Sequence, residues 1–271
     1  MEELTPLKPI SEEHAIKEAV ISIFFAGPIF KPQRFQQLIE NEFKEKFQQF
    51  ETLNTFQIQL KGAPKPGTNL SPQINPDIGF KFTRFENGEP SLALQGLNAL
   101  QGLNDPERYF ISIHALKYKR WIDFKEEFKN CLTAMEQHLA NMFVVGFGLH
   151  YRDEFFWQSE GDIPTGNIFN KDSELLPKKF FSSSSRNFII TSEEKTDNRS
   201  FFDRLEINIG KNISPNISIS HNIVEALPAE ELSSLLKSNE LTEMLDKAHL
   251  DNKTVLKSVL TKEVQDLIHL K

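Results

Sequence analysis

Cysteine, long apolar runs and excess positive charge are all scarce in this 271-residue chain, and each shortage excludes a class of protein. The single cysteine, Cys131, cannot form a disulfide within the chain, so a disulfide scaffold is excluded and a reducing, cytoplasmic setting is favoured. The most apolar stretch, 19–30, is too short to span a bilayer and is interrupted by Gly27 and Pro28, so we expect no membrane span. The acidic amino terminus also lacks the basic and apolar regions of a secretory signal.

The overall composition is that of an ordinary globular chain with an acidic balance. Asp and Glu number 38 against 31 Lys and Arg, which gives a net charge of −7 and disfavours a nonspecific binder of nucleic acid or anionic membranes. The 24 Phe far outnumber the 3 Tyr and 2 Trp. Because a phenylalanine ring has no polar group, this excess indicates core packing more than recognition. At 271 residues, the chain can form one large core or two small ones.

Sequence motifs for catalysis and for cofactor binding are missing. The chain has no phosphate-binding loop of the G-x-x-x-x-G-K type, no H-E-x-x-H, no paired cysteines and no G-x-S-x-G elbow. The glycines of Gly146-Phe147-Gly148 fall inside a predicted strand, where glycine is more typical of close backbone approach than of dinucleotide binding. We therefore predict no cofactor and no metal, and a non-enzymatic role is favoured over an enzymatic one.

The stretch 109–157 predicts a strand, an amphipathic helix and a second strand with short connections. Apolar residues recur at helical spacing on one side of the middle segment: Trp121, Phe124, Phe128, Cys131, Leu132, Met135 and Leu139. Alternation in the flanking segments predicts that Ile111, Ile113, Val145, Phe147, Leu149 and Tyr151 face the core. Lys125 falls on the predicted solvent side of the helix. A crossover of this kind normally places its two strands parallel in one sheet with a right-handed connection.

Polar side chains on the outward faces of these two strands form the only site that we predict. Ser112 and His114 alternate with core residues in the first strand, as His150 and Arg152 do in the second. With Asp153, they form a candidate surface for a ligand or partner. His114, His150 and Asp153 could also hold a metal, but histidines at strand ends more often make structural hydrogen bonds, so no metal site is predicted.

The remaining periodicity predicts an α+β fold, with a largely antiparallel sheet, one strand-helix-strand crossover unit and helices on one face. Strands are expected at 19–30, 56–60, 80–83, 90–95, 187–191, 204–209 and 217–219, with helices from Pro32, from Pro228 and over 241–268. The polar, turn-rich segment 158–185 is expected to be a linker or lid loop between an N-terminal half, 1–157, and a C-terminal part, 186–271. The two parts are expected to pack as one body.

Several motifs together resemble a sporadically distributed family of bacterial proteins of unassigned function. They are PLKPI at 6–10, EAVISIFF at 18–25, YF at 109–110 before WIDF at 121–124, VVGFGLHYRDEF at 144–155, and AHLDNKTVLKSVLT at 248–261. The resemblance covers most of the chain. The patchy distribution of that family among bacteria implies a mobile gene, and such genes often belong to defence or toxin-antitoxin modules.

Two functions follow from the sequence as expectations. The first is a cytoplasmic, non-enzymatic protein that binds another protein, as an antitoxin or an accessory subunit of a bacterial defence (anti-phage) module. The missing catalytic motifs and the acidic charge favour it. The alternative is a small-ligand sensor or enzyme that uses the histidine, arginine and aspartate side chains of the sheet. A nucleic-acid partner is disfavoured, and a homo-oligomer is compatible with either function.

Overall fold

The computed structural model describes residues 4–29, 32–57, 73–99, 108–182, 186–196, 199–210 and 216–270. Within these ranges the chain has the predicted α+β fold, built on one large antiparallel sheet. The strands are β1 (Leu7–Pro9), β2 (Ile16–Phe25), β3 (Gln49–Gln57), β4 (Gln73–Glu86), β5 (Glu89–Ala99), β6 (Arg108–Ala115), β7 (Phe143–Trp157), β8 (Arg186–Lys195), β9 (Ser200–Gly210) and β10 (Asn216–Glu231). The predicted strand residues 58–60 and the predicted linker residues 183–185 lie outside the described ranges.

The helices are distributed along the whole chain. They are α1 (Pro32–Phe43), α2 (Trp121–Met135), α3 (Thr165–Ile168), α4 (Lys178–Ser182), α5 (Leu232–Lys237), α6 (Glu240–Val259) and α7 (Lys262–Leu267). In the described part of the chain, none of them is both long and apolar enough to cross a membrane. The C-terminal helix begins at Leu232 and not at Pro228, which still belongs to β10.

The crossover unit β6-α2-β7 sits at the centre of the sheet. The strand order is β3-β4-β5-β6-β2-β7-β10-β9-β8, with β1 also paired to β7. Both β6 and β7 run antiparallel to β2, so they are parallel to each other, as the crossover predicts. They are not neighbours, however, because β2 from the start of the chain lies between them.

The helices pack on one face of the sheet and enclose two apolar clusters. The first cluster contains Ile21, Ile23, Phe147 and Leu149 from the strands and Phe43, Phe128, Leu132 and Leu245 from the helices. The second contains Ile207, Ile217 and Phe155 with Ile168, Phe169 and Phe180 from the segment 158–182. Because Ile168 and Phe169 are fully buried, this segment is a packed part of the fold and not the linker or lid that its composition predicts.

A β-bulge in β7 shifts the predicted alternation near its start. Phe24 pairs with Gly146, but Phe25 pairs with Val144, so Val145 is the extra residue. As a result, Val144 is buried in the core, whereas the sequence pattern assigns Val145 to it. The partner strand β10 is irregular at the same level, between Ala226 and Glu230. Pro228 lies in this irregular stretch, where a residue without an N–H is tolerated.

Candidate functional site

Strand pairing brings four of the five predicted site residues onto one face of the sheet. His114 and His150 both lie opposite Val20 of β2, while Ser112 lies opposite Ser22. Residues that are opposite each other in adjacent strands point to the same side. Arg152, two residues after His150, points that way as well. In the part of the chain that the structure describes, the helices pack on the other side.

We call this surface the open face. It comprises the side chains of β6, β2, β7, β10 and β9 that point away from the helices: Glu18, Val20, Ser22, Phe24, Phe110, Ser112, His114, His150, Arg152, Phe202, Arg204, Glu206, Ser220, Asn222 and Val224.

A hydrogen-bonded chain runs through His114 on the open face. His114 Nδ1 lies 2.8 Å from Glu18 Oε1, and its Nε2 lies 3.0 Å from Ser112 Oγ. Because an ionised carboxylate can only accept, Nδ1–H donates to Glu18, and in the neutral ring Nε2 accepts from the Ser112 hydroxyl. The hydrogen bond from His114 lowers the pKa of Glu18 against the opposing effect of burial, and the charges of His150 and Arg152 lower it further.

Ser112, His114 and Glu18 are hydrogen-bonded in the order of a serine-histidine-acid relay, but the sheet does not provide the other groups that a hydrolase needs. Ser112 is only 1% exposed, so a substrate cannot reach its hydroxyl. The backbone N–H groups of β6 pair with β2 on one side and β5 on the other, and none is left to stabilise an oxyanion. The arrangement therefore presents hydrogen-bonding groups on the open face, where the side chains of His114 and Glu18 are 20% and 28% exposed.

His150 lies on the same face but takes no part in the hydrogen bonds between Ser112, His114 and Glu18. Burial lowers its pKa, partly opposed by the nearby Glu18 charge. Its backbone is about 10 Å from that of His114, since one strand lies between them and strands are spaced by about 4.8 Å. Among the described residues, no group of histidine, cysteine and carboxylate side chains is placed to hold a metal.

Asp153 lies on the opposite face, so its predicted association with His114 and His150 is wrong. Successive strand residues alternate, and Asp153 follows Arg152 directly. Its carboxyl group therefore points into the helix-covered side, where the residue is only 2% exposed. Burial raises the pKa of Asp153 to about 7, and the nearby ring of His221 opposes this rise.

Asp153 lines a cavity of about 360 Å³ between the sheet and the C-terminal helices, which we call the Asp153 pocket. Its other lining residues come from four parts of the chain: Glu13, His14, Ala15 and Ile16; Tyr118, Lys119, Arg120 and Trp121; Tyr151; and His249, Asn252, Lys253, Leu256, Ile268, His269 and Leu270. The volume falls within the range of small-ligand sites.

Aromatic contacts hold one wall of this pocket. The Tyr151 hydroxyl lies 2.9 Å from His249 Nδ1, and the His249 ring stacks on Trp121 with centroids 4.5 Å apart. Burial lowers the pKa of His249 to about 4, so its ring is neutral at pH 7. Helix α2 is tied to α6 by Lys125, whose Nζ donates to both carboxylate oxygens of Asp246 at 2.7 and 2.6 Å.

A second cavity, of about 460 Å³, opens at one end of the open face and is lined by Phe24, Gly146, Phe202 and Val224 among others. Gly146 is required here, because a Cβ would stand 2.6 Å from the carbonyl oxygen of Glu225. Phe24 also contacts Phe110 edge to face, with ring centroids 6.1 Å apart. The open face thus passes from an aromatic end to a polar end.

Glu18, Tyr118 and His249 are the site residues that sequence reasoning missed. Glu18 directly precedes the predicted strand 19–30, and extending the alternation of that strand by one residue could have indicated its face. Tyr118 and His249 join the pocket through contacts distant in sequence, for which the chain carries no local signal. Comparisons with known proteins add no further residue: no family model, no curated protein and no solved structure matches this chain.

Proposed function

We propose that this chain is a cytoplasmic, non-enzymatic protein that binds a segment of another protein on its open face. The observation that carries the proposal is a staggered row of apolar side chains on four of five neighbouring strands, interrupted by Gly146 and Gly148 of β7. Phe110, Phe24 and Val224 belong to β6, β2 and β10, and Phe202 lies directly opposite Val224 in β9. All four are half-buried and line or adjoin the 460 Å³ cavity. Covering them would remove apolar surface from water.

The polar end of the same face supplies the groups that would orient a partner. His114, His150 and Asn222 form the next row across the sheet, and Glu18 and Arg152 the one after it. Apolar side chains beside hydrogen-bonding and charged groups are the usual composition of a protein-protein interface. This surface also spans several strands, whereas small-molecule sites enclose most of their ligand in a cleft.

The proposed partner is a toxin or another subunit of a bacterial defence module. The support for this choice is the resemblance of PLKPI, EAVISIFF and VVGFGLHYRDEF to a patchily distributed bacterial family. The net charge of −7 further supports a basic partner, because opposite net charges attract over a long range. The proposal thus specifies a basic polypeptide with an apolar segment that fits beside Phe24 and Phe202.

Affinity purification of the tagged protein from its native host, with mass spectrometry of stoichiometric partners, tests this proposal. Phe202→Asp and Val224→Asp place a charge in the apolar row and should lower recovery of the partner at least tenfold. Leu250→Asp is the matched control, because Leu250 is 61% exposed on α6. Unchanged circular dichroism and melting temperature would show that each variant folds.

Two results would overturn the proposal. One is that the wild-type protein recovers no stoichiometric protein under gentle conditions. The other is that Phe202→Asp and Leu250→Asp retain the partner equally well, since binding would then not involve the open face.

The second candidate is a small-ligand sensor or enzyme that uses the polar end of the open face. The hydrogen-bonded chain from Ser112 through His114 to Glu18 favours it, because such a chain fixes the orientation of the imidazole ring. His150→Ala and Arg152→Ala should then abolish the gene's phenotype while the fold is retained. Survival of the phenotype in both variants would exclude this function.

A further inference from the structure

The Asp153 pocket lies on the helix-covered side of the sheet and is separate from the open face. It is bounded by β2 and β7 below, by the segment 118–121 on one side and by α6 on the other. Tyr118 and Tyr151 meet edge to face with ring centroids 6.0 Å apart, and His14 contacts Tyr118 edge to face at 5.5 Å. Aromatic rings therefore form much of the interior.

The Asp153 carboxyl group is the unusual member of this interior. The residue is 2% exposed, and none of the described residues gives its carboxyl group a hydrogen bond or an ion pair. Its aromatic neighbours do have partners: the Tyr151 hydroxyl lies 2.9 Å from His249 Nδ1, and His14 Nε2 lies 2.9 Å from the carbonyl oxygen of Tyr118. A buried carboxyl group without a partner is costly to a fold, and such groups concentrate at functional sites.

We propose that the Asp153 pocket binds a small organic cation with a planar amidinium or guanidinium head, which pairs with the Asp153 carboxylate. A planar fork of N–H donors can bond both carboxylate oxygens at once, which a compact ammonium group cannot do as well. Guanidinium groups also interact favourably with aromatic rings such as those of Tyr118 and Tyr151. The proposal is independent of the open face, because the two surfaces lie on opposite sides of the sheet.

The rim of the pocket indicates what the rest of the ligand carries. Lys119 and Lys253 lie at the rim, with Glu13 close by, and none of these three has its charge buried. A ligand with a cationic head inside and an anionic group outside would pair with the Asp153 carboxylate and with a lysine at the rim. A volume of about 360 Å³ accommodates a molecule of amino-acid size. Arginine is therefore the first probe, agmatine carries the same head without the anionic group, and citrulline is the neutral counterpart of arginine with nearly the same shape.

Binding should weaken in acid, because the cation pairs with the ionised carboxylate. With a pKa of about 7 for Asp153 in the free protein, affinity should fall roughly thirtyfold from pH 8.5 to pH 5.5. Other groups also face the pocket or Asp153: His221 from β10, His249 and Lys253 from α6, His14 and Glu13 before β2, Lys119 and Arg120 before α2, Tyr118, Tyr151, and His269 after α7. The two tyrosines stay neutral in this window, since burial raises both of their pKa values.

Isothermal titration calorimetry of the full chain with arginine, agmatine and citrulline tests the proposal. We expect arginine to bind with one site per chain, agmatine to bind more weakly because it lacks the anionic group, and citrulline to bind at least tenfold more weakly than arginine. Asp153→Asn should weaken binding of the cation by about a hundredfold, the usual effect of removing one partner of a buried charge pair. Glu154→Gln, on the opposite face, is the control and should leave binding unchanged.

A second variant separates loss of charge from loss of space. Ile16→Trp fills the pocket beside Asp153 while the carboxyl group is retained, and it should also abolish binding. The proposal is overturned if neither cation binds, if citrulline binds as tightly as arginine, or if Asp153→Asn binds as the wild type does. Loss of a protein partner in the Phe202→Asp variant, with cation binding intact, would show that the two surfaces are independent.

Discussion

Replacing Asp153 by asparagine removes a carboxyl group whose ionisation the folded protein disfavours. Burial raises the pKa of this group from an ordinary value of 3.8 to about 7, opposed only by the charge of His221. In the unfolded chain the same carboxyl group is hydrated and ionises near its ordinary value. Above that value, the folded state is therefore destabilised relative to the unfolded state.

The sign and size of the effect follow from these two pKa values. Below about pH 4 both states are protonated, so the carboxyl group costs nothing there. As the pH rises from about 4 to about 7, the free energy of unfolding falls, and the full cost is reached above pH 7. Each pKa difference of one corresponds to 1.36 kcal/mol, so the cost is at most about 4 kcal/mol. Asparagine has nearly the same shape and carries no charge, so Asp153→Asn should recover most of this free energy.

Urea unfolding at pH 5 and pH 8.5, followed by circular dichroism, measures the effect. The Asp153→Asn variant should be more stable at pH 8.5, and its advantage over the wild type should grow by about 2 kcal/mol between the two pH values, since part of the cost is already present at pH 5. With m-values of a few kcal/mol/M, this is a change of up to about 1 M in the midpoint difference. Leu250→Ala, which changes no titratable group, should show no such growth. An Asp153→Asn variant that is less stable than the wild type at pH 8.5 would refute the reasoning.

Three further predictions concern the core and the tie between helices. The Cys131 thiol should not react with a thiol reagent at pH 8 until urea unfolds the protein, because burial raises its pKa to about 12. Gly146→Ala should destabilise the protein by about 1–3 kcal/mol in urea unfolding, because a Cβ would stand 2.6 Å from a carbonyl oxygen, whereas Gly27→Ala, with nothing within 4 Å, should cost little. Asp246→Asn should lower the free energy of unfolding by about 1–2 kcal/mol, because it leaves the 5% exposed Lys125 without its charged partner, and a Lys125→Met, Asp246→Asn double variant should regain part of the loss.

Much of the fold could be predicted from local patterns. The stripe from Phe124 to Met135 indicates α2, because a buried helix face requires apolar residues every three or four positions. Alternation in 109–115 and 147–152 likewise indicates which residues face the helices, and it places Ser112, His114, His150 and Arg152 on a common face. These assignments depend only on the geometry of a single element.

The errors arise where a distant partner decides the outcome. The insertion of β2 between β6 and β7 follows from strand pairing, which no local pattern specifies. The sequence pattern assigns Lys125 to solvent, but its side chain is buried and paired with Asp246, 121 residues away. Ile168 and Phe169 lie in a polar segment whose few apolar residues complete a core formed by other elements.

The candidate site is predicted only in part, for two different reasons. Asp153 was grouped with His150 because they are close in sequence, although alternation places them on opposite faces. The pocket that receives Asp153 also needs His14, Tyr118 and His249, which come from three separate parts of the chain. Such a site becomes visible only when the packing of α6 against the sheet is known.

The central claim, that a polypeptide binds on the open face, can be tested most directly by site-specific photo-crosslinking in the native host. A photoreactive phenylalanine analogue would replace Phe202 on the open face or Leu250 on α6 in otherwise identical proteins. We predict a discrete protein adduct from position 202 and none from position 250. No protein adduct from position 202, or the same adduct from both positions, would contradict the claim.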